Sequence, residues 1–199
     1  MRLLVFSDLH CDVAAAELIV RRSAGVDVVI GAGDFAVQRR GLAAVTEVLN
    51  AIEQPCVLVA GNSESEVELE EACAGWPTAH VLHGTGVELG GVPFFGLGAA
   101  VPVTPFGPWS YDISETEAAT LLRDCPPDGV LVSHSPPLGY GDRGSNGESF
   151  GSSAVLEAIR RTTPKLVVCG HIHDSWGERS TLGPTLIVNA GPSGAILEI

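Results

Sequence analysis

The sequence predicts an α/β protein whose strands are mostly parallel. Three observations carry that reading: short apolar runs alternate with segments of helical spacing, Gly, Pro or Asp punctuates the runs, and most runs are apolar nearly throughout. A strand apolar at every position is buried on both faces, as in a parallel sheet covered by helices. Residues 2–7 (RLLVFS) read as the first such strand, and residues 13–24 have helical spacing up to Gly25. Residues 26–31 (VDVVIG) and 56–60 (CVLVA) are the next strands, with a helix predicted over 38–53 and an acidic one over 64–73. In the middle, residues 80–83, 86–89 and 92–97 are short runs separated by Gly, which predicts hairpins. Ser114, with Glu117 three residues on, predicts an N-cap for a helix reaching about Arg123. Residues 129–132 and 165–169 read as strands, 152–161 as a helix, and 185–189 and 195–199 as closing strands. Two long segments, 99–112 (AAVPVTPFGPWSYD) and 135–150, read as functional loops. No linker or repeat interrupts the pattern, so one domain is expected over residues 1–199.

Composition narrows the function classes. Hydrophobic residues are 45% of the 199, enough for a substantial core. Lys plus Arg number 11 against 24 Asp plus Glu, a formal charge of −13 without basic runs beyond pairs. Stable binding to nucleic acid or an anionic membrane needs clustered cations, so neither is expected. The apolar runs are strand-length, below the ~20 residues of a membrane span. The five Cys form no CxxC pair, and the N-terminal apolar run is too short for an export signal. Free thiols in a cytoplasmic protein are the expectation.

The chemistry-bearing residues follow the apolar runs. Asp8-x-His10 follows the first, Gly31-Ala-Gly-Asp34 the second and Gly61-Asn62 the third. His134 ends a fourth, and Gly170-His171-Ile-His173 follows a fifth. Ligands of open parallel sheets bind at the carboxyl ends of strands. Five strand ends would therefore deliver Asp8, His10, Asp34, Asn62, His134, His171 and His173 to one edge. Carboxylate, amide and imidazole donors without thiolate suit divalent metals, and seven such residues can surround two ions. Each block alone has a blander reading: a turn, an Asp cap or a core histidine. The ordered series, each member after a strand, favours the metal reading. His80 and His83 fall outside it and read as structural or surface residues, and Cys11 reads as a buried or partly buried bystander.

The blocks DLH, GAGD, GNSE, SH and GHIH resemble those of the calcineurin-like metallophosphoesterases, in the family's order from Asp8 to His173. The resemblance implies a four-layer α/β/β/α sandwich, two mixed sheets flanked by helices. It implies a first metal held by Asp8, His10 and His173, a second by Asn62, His134 and His171, and Asp34 bridging the two. The implied cofactor is a pair of divalent ions, Mn²⁺ foremost, with Fe, Zn, Ni or Co as alternatives. The implied activity is hydrolysis of a P–O bond by water or hydroxide activated at that dinuclear centre, with Asp34, Asn62, Ser63 and His134 as the catalytic set. A phosphodiesterase acting on a small phosphate ester, such as a nucleotide or cyclic nucleotide, is expected. The alternatives are a phosphomonoesterase on a nucleotide or phosphoprotein, or a non-catalytic metal-binding scaffold.

One position departs from the family pattern. Where most relatives carry a histidine after the asparagine, this chain has Ser63. A hydroxyl is a weak acid, so the substitution predicts a preference for good leaving groups. Asn62, Ser63 and Arg143 are expected to contact substrate, with a solvated loop charge as the alternative for Arg143; Phe106, Trp109 and Tyr111 are candidates either for stacking on a base or aryl group or for pinning their loop to the body. Glu64 is expected in the first turn of the following helix, and Arg39 and Arg40 on a solvated helix face. Asp12, Asp174 and carbonyls near Asn189 are expected partners of the ligating histidines. The oligomeric state is not encoded legibly.

Overall fold

The computed structural model describes residues 1–199. Its elements in chain order are β1 (Arg2–Phe6), α1 (Val13–Arg22), β2 (Val28–Ala32), α2 (Leu42–Leu49), β3 (Cys56–Val59), α3 (Glu66–Cys73), β4 (Ala79–Val81), β5 (Thr85–Leu89), β6 (Val92–Leu97), α4 (Glu115–Leu121), β7 (Val130–Ser133), α5 (Ser153–Thr162), β8 (Leu166–Cys169), β9 (Arg179–Leu182), β10 (Thr185–Asn189) and β11 (Ala195–Glu198). They form two sheets, ordered β11-β1-β2-β3-β4 and β5-β6-β7-β8-β10-β9. In the first, β1 to β4 are parallel and β11 is antiparallel at an edge. In the second, β6, β7, β8 and β10 are parallel, with β5 and β9 antiparallel at the edges.

Side-chain alternation builds the layers, because successive residues of a strand point to opposite faces. Leu4, Phe6, Val29 and Leu58 pack on Ile19, Val45, Leu49 and Leu69 of α1 to α3. Their neighbours Leu3, Val5, Val28, Ile30, Val57 and Val59 face Val132, Leu166, Val168 and Val188 between the sheets. On the far side, Leu131, Val167 and Ile187 pack on Ala118, Val155 and Ile159 of α4 and α5. The result is the expected α/β/β/α sandwich, with three apolar layers holding the sheets rigidly in place.

The differences from expectation are local. β4 pairs in parallel with β3 and is not part of a hairpin; the β5–β6 hairpin is real and turns through Gly90 and Gly91, both at positive φ. β9 was not expected, because its RSTL sequence has no apolar run and it lies on an edge. The helix expected over 38–53 shrinks to α2. Val37 and Arg40 pair across a tight turn with Gln38 and Arg39 at positive φ, and a left-handed Gly41 precedes the helix. Arg39 therefore does not stand on a helix; its Nε lies 2.8 Å from Glu68 Oε2. The Ser114–Glu117 capping box forms as expected. All five cysteines are free, and the Cys11 thiol donates to the Arg40 carbonyl. No helix is long and apolar enough to cross a membrane.

Candidate metal centre

The seven expected metal-site residues meet at the carboxyl ends of β1, β2, β3, β7 and β8. Asp8, Asp34, Asn62 and His134 are buried, while His10, His171 and His173 are more open to solvent. Asp8, His10, Asp34 and His171 all adopt positive φ, a conformation that costs non-glycine residues energy and clusters at functional sites. Here it turns each chain sharply off its strand and aims the side chain along the sheet edge. The turns need glycine beside them. A Cβ on Gly33, at φ +89, would lie 2.5 Å from His134 Nδ1, and one on Gly61 would overlap the Asp34 carboxylate.

Two tight groups result, Asp8–His10–His173 and Asp8–Asp34–His134. Asp34 faces both sides. Its Oδ2 lies 3.6 Å from His10 Nε2, and its Oδ1 lies 3.4 Å from His134 Nε2. Asn62 Oδ1 is 3.2 Å from His134 Nε2. The His171 ring stands against His134 with centroids 4.9 Å apart, and His10 Nε2 is 3.1 Å from His173 Nε2.

The tautomers follow from the partners. His10 Nδ1 lies 3.1 Å from the Ala36 carbonyl, and His134 Nδ1 lies 2.8 Å from the Ala32 carbonyl. A carbonyl only accepts, so both Nδ1 atoms carry hydrogen. In the neutral rings each Nε2 then presents a lone pair to carboxylate, amide or imidazole acceptors. A divalent cation at the focus of these nitrogens and oxygens would find them as ligands; without one, a protonated His134 ring can supply the positive charge that the Asp34 and Asn62 oxygens face. This donor set, nitrogen and oxygen without sulfur, fits divalent first-row metals. Asp12 and Asp174, expected to orient the histidines, do other work. Asp12 caps α1 through Ala15 N, and Asp174 accepts from Ser145 N. Asn189 does serve the site region, donating from Nδ2 to the carbonyls of Gly141, Gly170 and Ile172.

The electrostatics match a site built around positive charge. Burial would raise the Asp34 carboxyl, but His134 and His10 beside it bring it below its ordinary value. Burial raises Asp8, with the Asp34 charge adding to the rise. Burial lowers His134, yet the Asp34 and Asp8 charges win and raise it. Burial, and then His134, push His171 down to about 3, so its ring stays neutral and able to bind a metal.

Three contributors escaped the sequence reading. Glu64 does not lie in the first turn of α3, whose N-cap is Ser65. It is buried and accepts from the backbone N–H groups of Asp34, Ala36 and Gly61 at 2.7 to 2.9 Å, tying two ligand loops together. Burial and the Asp34 charge push it up to about 7. Trp176 donates its indole N–H to Asp8 Oδ2 at 3.0 Å and packs on His173 with centroids 4.3 Å apart. Ser110 Oγ accepts from Asn62 Nδ2 at 3.0 Å and donates to Asp112 Oδ1 at 2.6 Å. That pair fixes the amide so that its oxygen faces His134.

Comparison with known proteins agrees with this architecture. The family model described as "Calcineurin-like phosphoesterase superfamily domain" matches residues 1–197. The chain belongs to the calcineurin-like phosphoesterase superfamily. Two similar curated proteins come from Caenorhabditis elegans. UPF0046 protein K07C11.7 is 32% identical over 184 residues, covering 82% of this chain and 62% of that one. UPF0046 protein T07D4.2 is 34% identical over 110 residues, 52% of this chain and 26% of that one. The chain thus spans less than two thirds of the length of these relatives. Among solved structures, TT1561 of Thermus thermophilus superposes with a TM-score of 0.77 at 20% identity, covering 96% of this chain and 90% of that one. A dimetal phosphatase from Danio rerio gives 0.60 at 14% identity, covering 98% and 91%. These likenesses are of fold.

Within this calcineurin-like frame, the metal-site residues open onto a cleft of about 620 Å³. His10, Asp34, Asn62, Ser63, His171 and His173 line it, and no Lys or Arg does. Ser63 donates its backbone N–H to Asp34 Oδ1 at 2.8 Å. Arg143, expected at a phosphate oxygen, is not on the cleft wall. It is exposed, and its guanidinium donates to the Gly147 carbonyl within its own loop. His83 accepts from Gly98 N and is structural, as expected.

Proposed function

We propose that this calcineurin-like phosphoesterase hydrolyses phosphodiesters at a centre of two divalent ions, Mn²⁺ foremost. The observation that carries the two-ion reading is Asp34, whose two carboxylate oxygens face His10 on one side and His134 on the other. In this assignment Asp8, His10 and His173 would hold one ion, Asn62, His134 and His171 would hold the other, and Asp34 would be shared between them. Two such ions supply charge neutralisation at phosphoryl oxygens and lower the pKa of water. The chain's own residues then position the ester and shape its selectivity. Asn62 is oriented by Ser110, and the cleft-lining Ser63 can donate a hydrogen bond to a non-bridging oxygen.

The diester preference rests on charge. A phosphate monoester carries ~−1.5 to −2 at neutral pH, whereas a diester carries a single charge. Apart from the two ions, no Lys or Arg lines the cleft and Asp174 stands on it, so no side chain there offsets the second negative charge of a monoester. Replacing a positioned general acid by a serine hydroxyl costs on the order of 10²–10⁴-fold, and the loss is greatest for poor leaving groups. The test is Mn²⁺-dependent hydrolysis of bis-p-nitrophenyl phosphate beside p-nitrophenyl phosphate. The wild type should favour the diester, Asp34→Asn should abolish turnover, and Ser63→His should selectively raise activity on alkyl diesters. Turnover unaffected by Asp34→Asn, or a monoester preference, would contradict the proposal.

A further inference from the structure

We infer that the cleft carries a stacking subsite, formed by Phe106 and Trp109, for a planar aromatic substituent of the phosphate ester; this rests on the phosphoesterase reading above. Phe106 and Trp109 line the same cleft as His10, Asp34, Asn62 and His171. Their rings are parallel, with centroids 5.7 Å apart and an interplanar angle of 7°. A loop aromatic that merely pins its segment to the body turns its ring into the core. Tyr111 does that job, packing against the core beneath α1 to α3 and tilting onto His83. Phe106 does not: it is 51% exposed, while its stacking partner Trp109 is half-buried. Phe150 and Val103, also exposed, line the same cleft.

The pair is held in place by its loop. Asp112 Oδ2 accepts from Thr104 N at 2.8 Å and Thr104 Oγ1 at 2.7 Å, and its Oδ1 accepts from Ser110 Oγ at 2.6 Å. One carboxylate thereby clasps both ends of the segment that presents the two rings. Pro105 and Pro108 restrict the backbone between the clasped ends. The clasp is fastened to the metal centre. Ser110 Oγ accepts from Asn62 Nδ2, and Tyr111 N donates to the Asn62 carbonyl at 2.9 Å. The aromatic wall and the phosphoryl-facing residues are therefore parts of one braced unit. A wall of two stacked rings beside an anion-compatible centre, with no Lys or Arg on the cleft, selects an ester with one charged phosphoryl group and one uncharged planar group. An aryl ring and a nucleobase share that chemistry.

The test uses the Mn²⁺-loaded 199-residue chain and two diesters that turn over slowly, diphenyl phosphate and dimethyl phosphate, titrated calorimetrically. Stacking on an aromatic side chain strengthens binding by roughly 5- to 100-fold, so diphenyl phosphate should bind that much more tightly than dimethyl phosphate. The Phe106→Ala/Trp109→Ala variant should lose most of that ratio while keeping its affinity for dimethyl phosphate. Trp109→Phe should retain the ratio. A loop that only supports the metal centre would weaken both ligands alike, and an unchanged ratio in the double variant would overturn the subsite. Hydrolysis of bis-p-nitrophenyl phosphate against methyl p-nitrophenyl phosphate, which share a leaving group, gives the parallel readout in kcat/KM. A binding ratio that depends on the two rings, seen without turnover of either diester, would support the subsite and sink the phosphoesterase reading.

Discussion

Trp176 and Ser110 act on the metal centre without being ligands by donor type. Two donors, the Trp176 indole and the Ser7 hydroxyl, occupy Asp8 Oδ2, while Oδ1 accepts from His171 N at 3.1 Å and lies 3.9 Å from His173 Nε2. Groups that orient metal ligands typically change affinity by ~10- to 100-fold when removed. Trp176→Phe keeps a ring on His173 but deletes the indole N–H. Its Mn²⁺ affinity, measured by calorimetry, should fall by about tenfold; an unchanged affinity would show that the contact is incidental. The ligand-type residues were legible in the sequence because each follows an apolar run directly. Trp176, Ser110 and the true role of Glu64 were not. Their contributions depend on chain crossings such as Glu64 to Asp34 and Trp176 to Asp8, which no local spacing encodes. Arg143 is placed by its loop in the same way, as an exposed charge off the cleft wall, since closeness in sequence to His134 says nothing of which way a loop turns.

At the scale of elements, the strands were legible where both faces are buried, because an unbroken apolar run has few alternative readings. β9 and the short α2 were not, being set by an edge pairing and by a tight turn at Gln38–Arg39. Helix caps show how loops are fixed to this frame. Glu115, in the first turn of α4, accepts from Ser152 Oγ, Ser153 N and Ala154 N at the start of α5. It satisfies N–H groups that a helix start leaves free and places negative charge at the favourable end of the dipole. Glu115→Ala should lower stability by about 1–2 kcal/mol in urea denaturation and leave kcat/KM on the diester unchanged. Stability equal to wild type would mean that water replaces the carboxylate at no cost.

At the scale of the whole molecule, two helix-covered sheets bring five strand ends to one edge, and burial there sets the response to acid. His171 is held at about 3, against 6.5 for an unperturbed imidazole, so the unfolded chain binds more protons between those values. Its contribution to stability is full above pH 6.5 and is lost as the pH falls toward 3. Glu64, raised to about 7, works in the opposite sense between about 4.5 and 7. Variants must therefore be compared rather than the wild type alone. In metal-free protein, His171→Asn should show a shallower loss of urea midpoint from pH 6.5 to 4 than the wild type, and equal slopes would contradict the assignment. The central claim, that Asp34 joins two ions into one centre, is tested most directly by electron paramagnetic resonance of Mn²⁺-loaded protein with its metal content. Two Mn²⁺ per chain with a spin-coupled spectrum, reduced to uncoupled or partial occupancy in Asp34→Asn, is the expected result. One Mn²⁺ per chain, or two giving the spectrum of isolated ions, would contradict it.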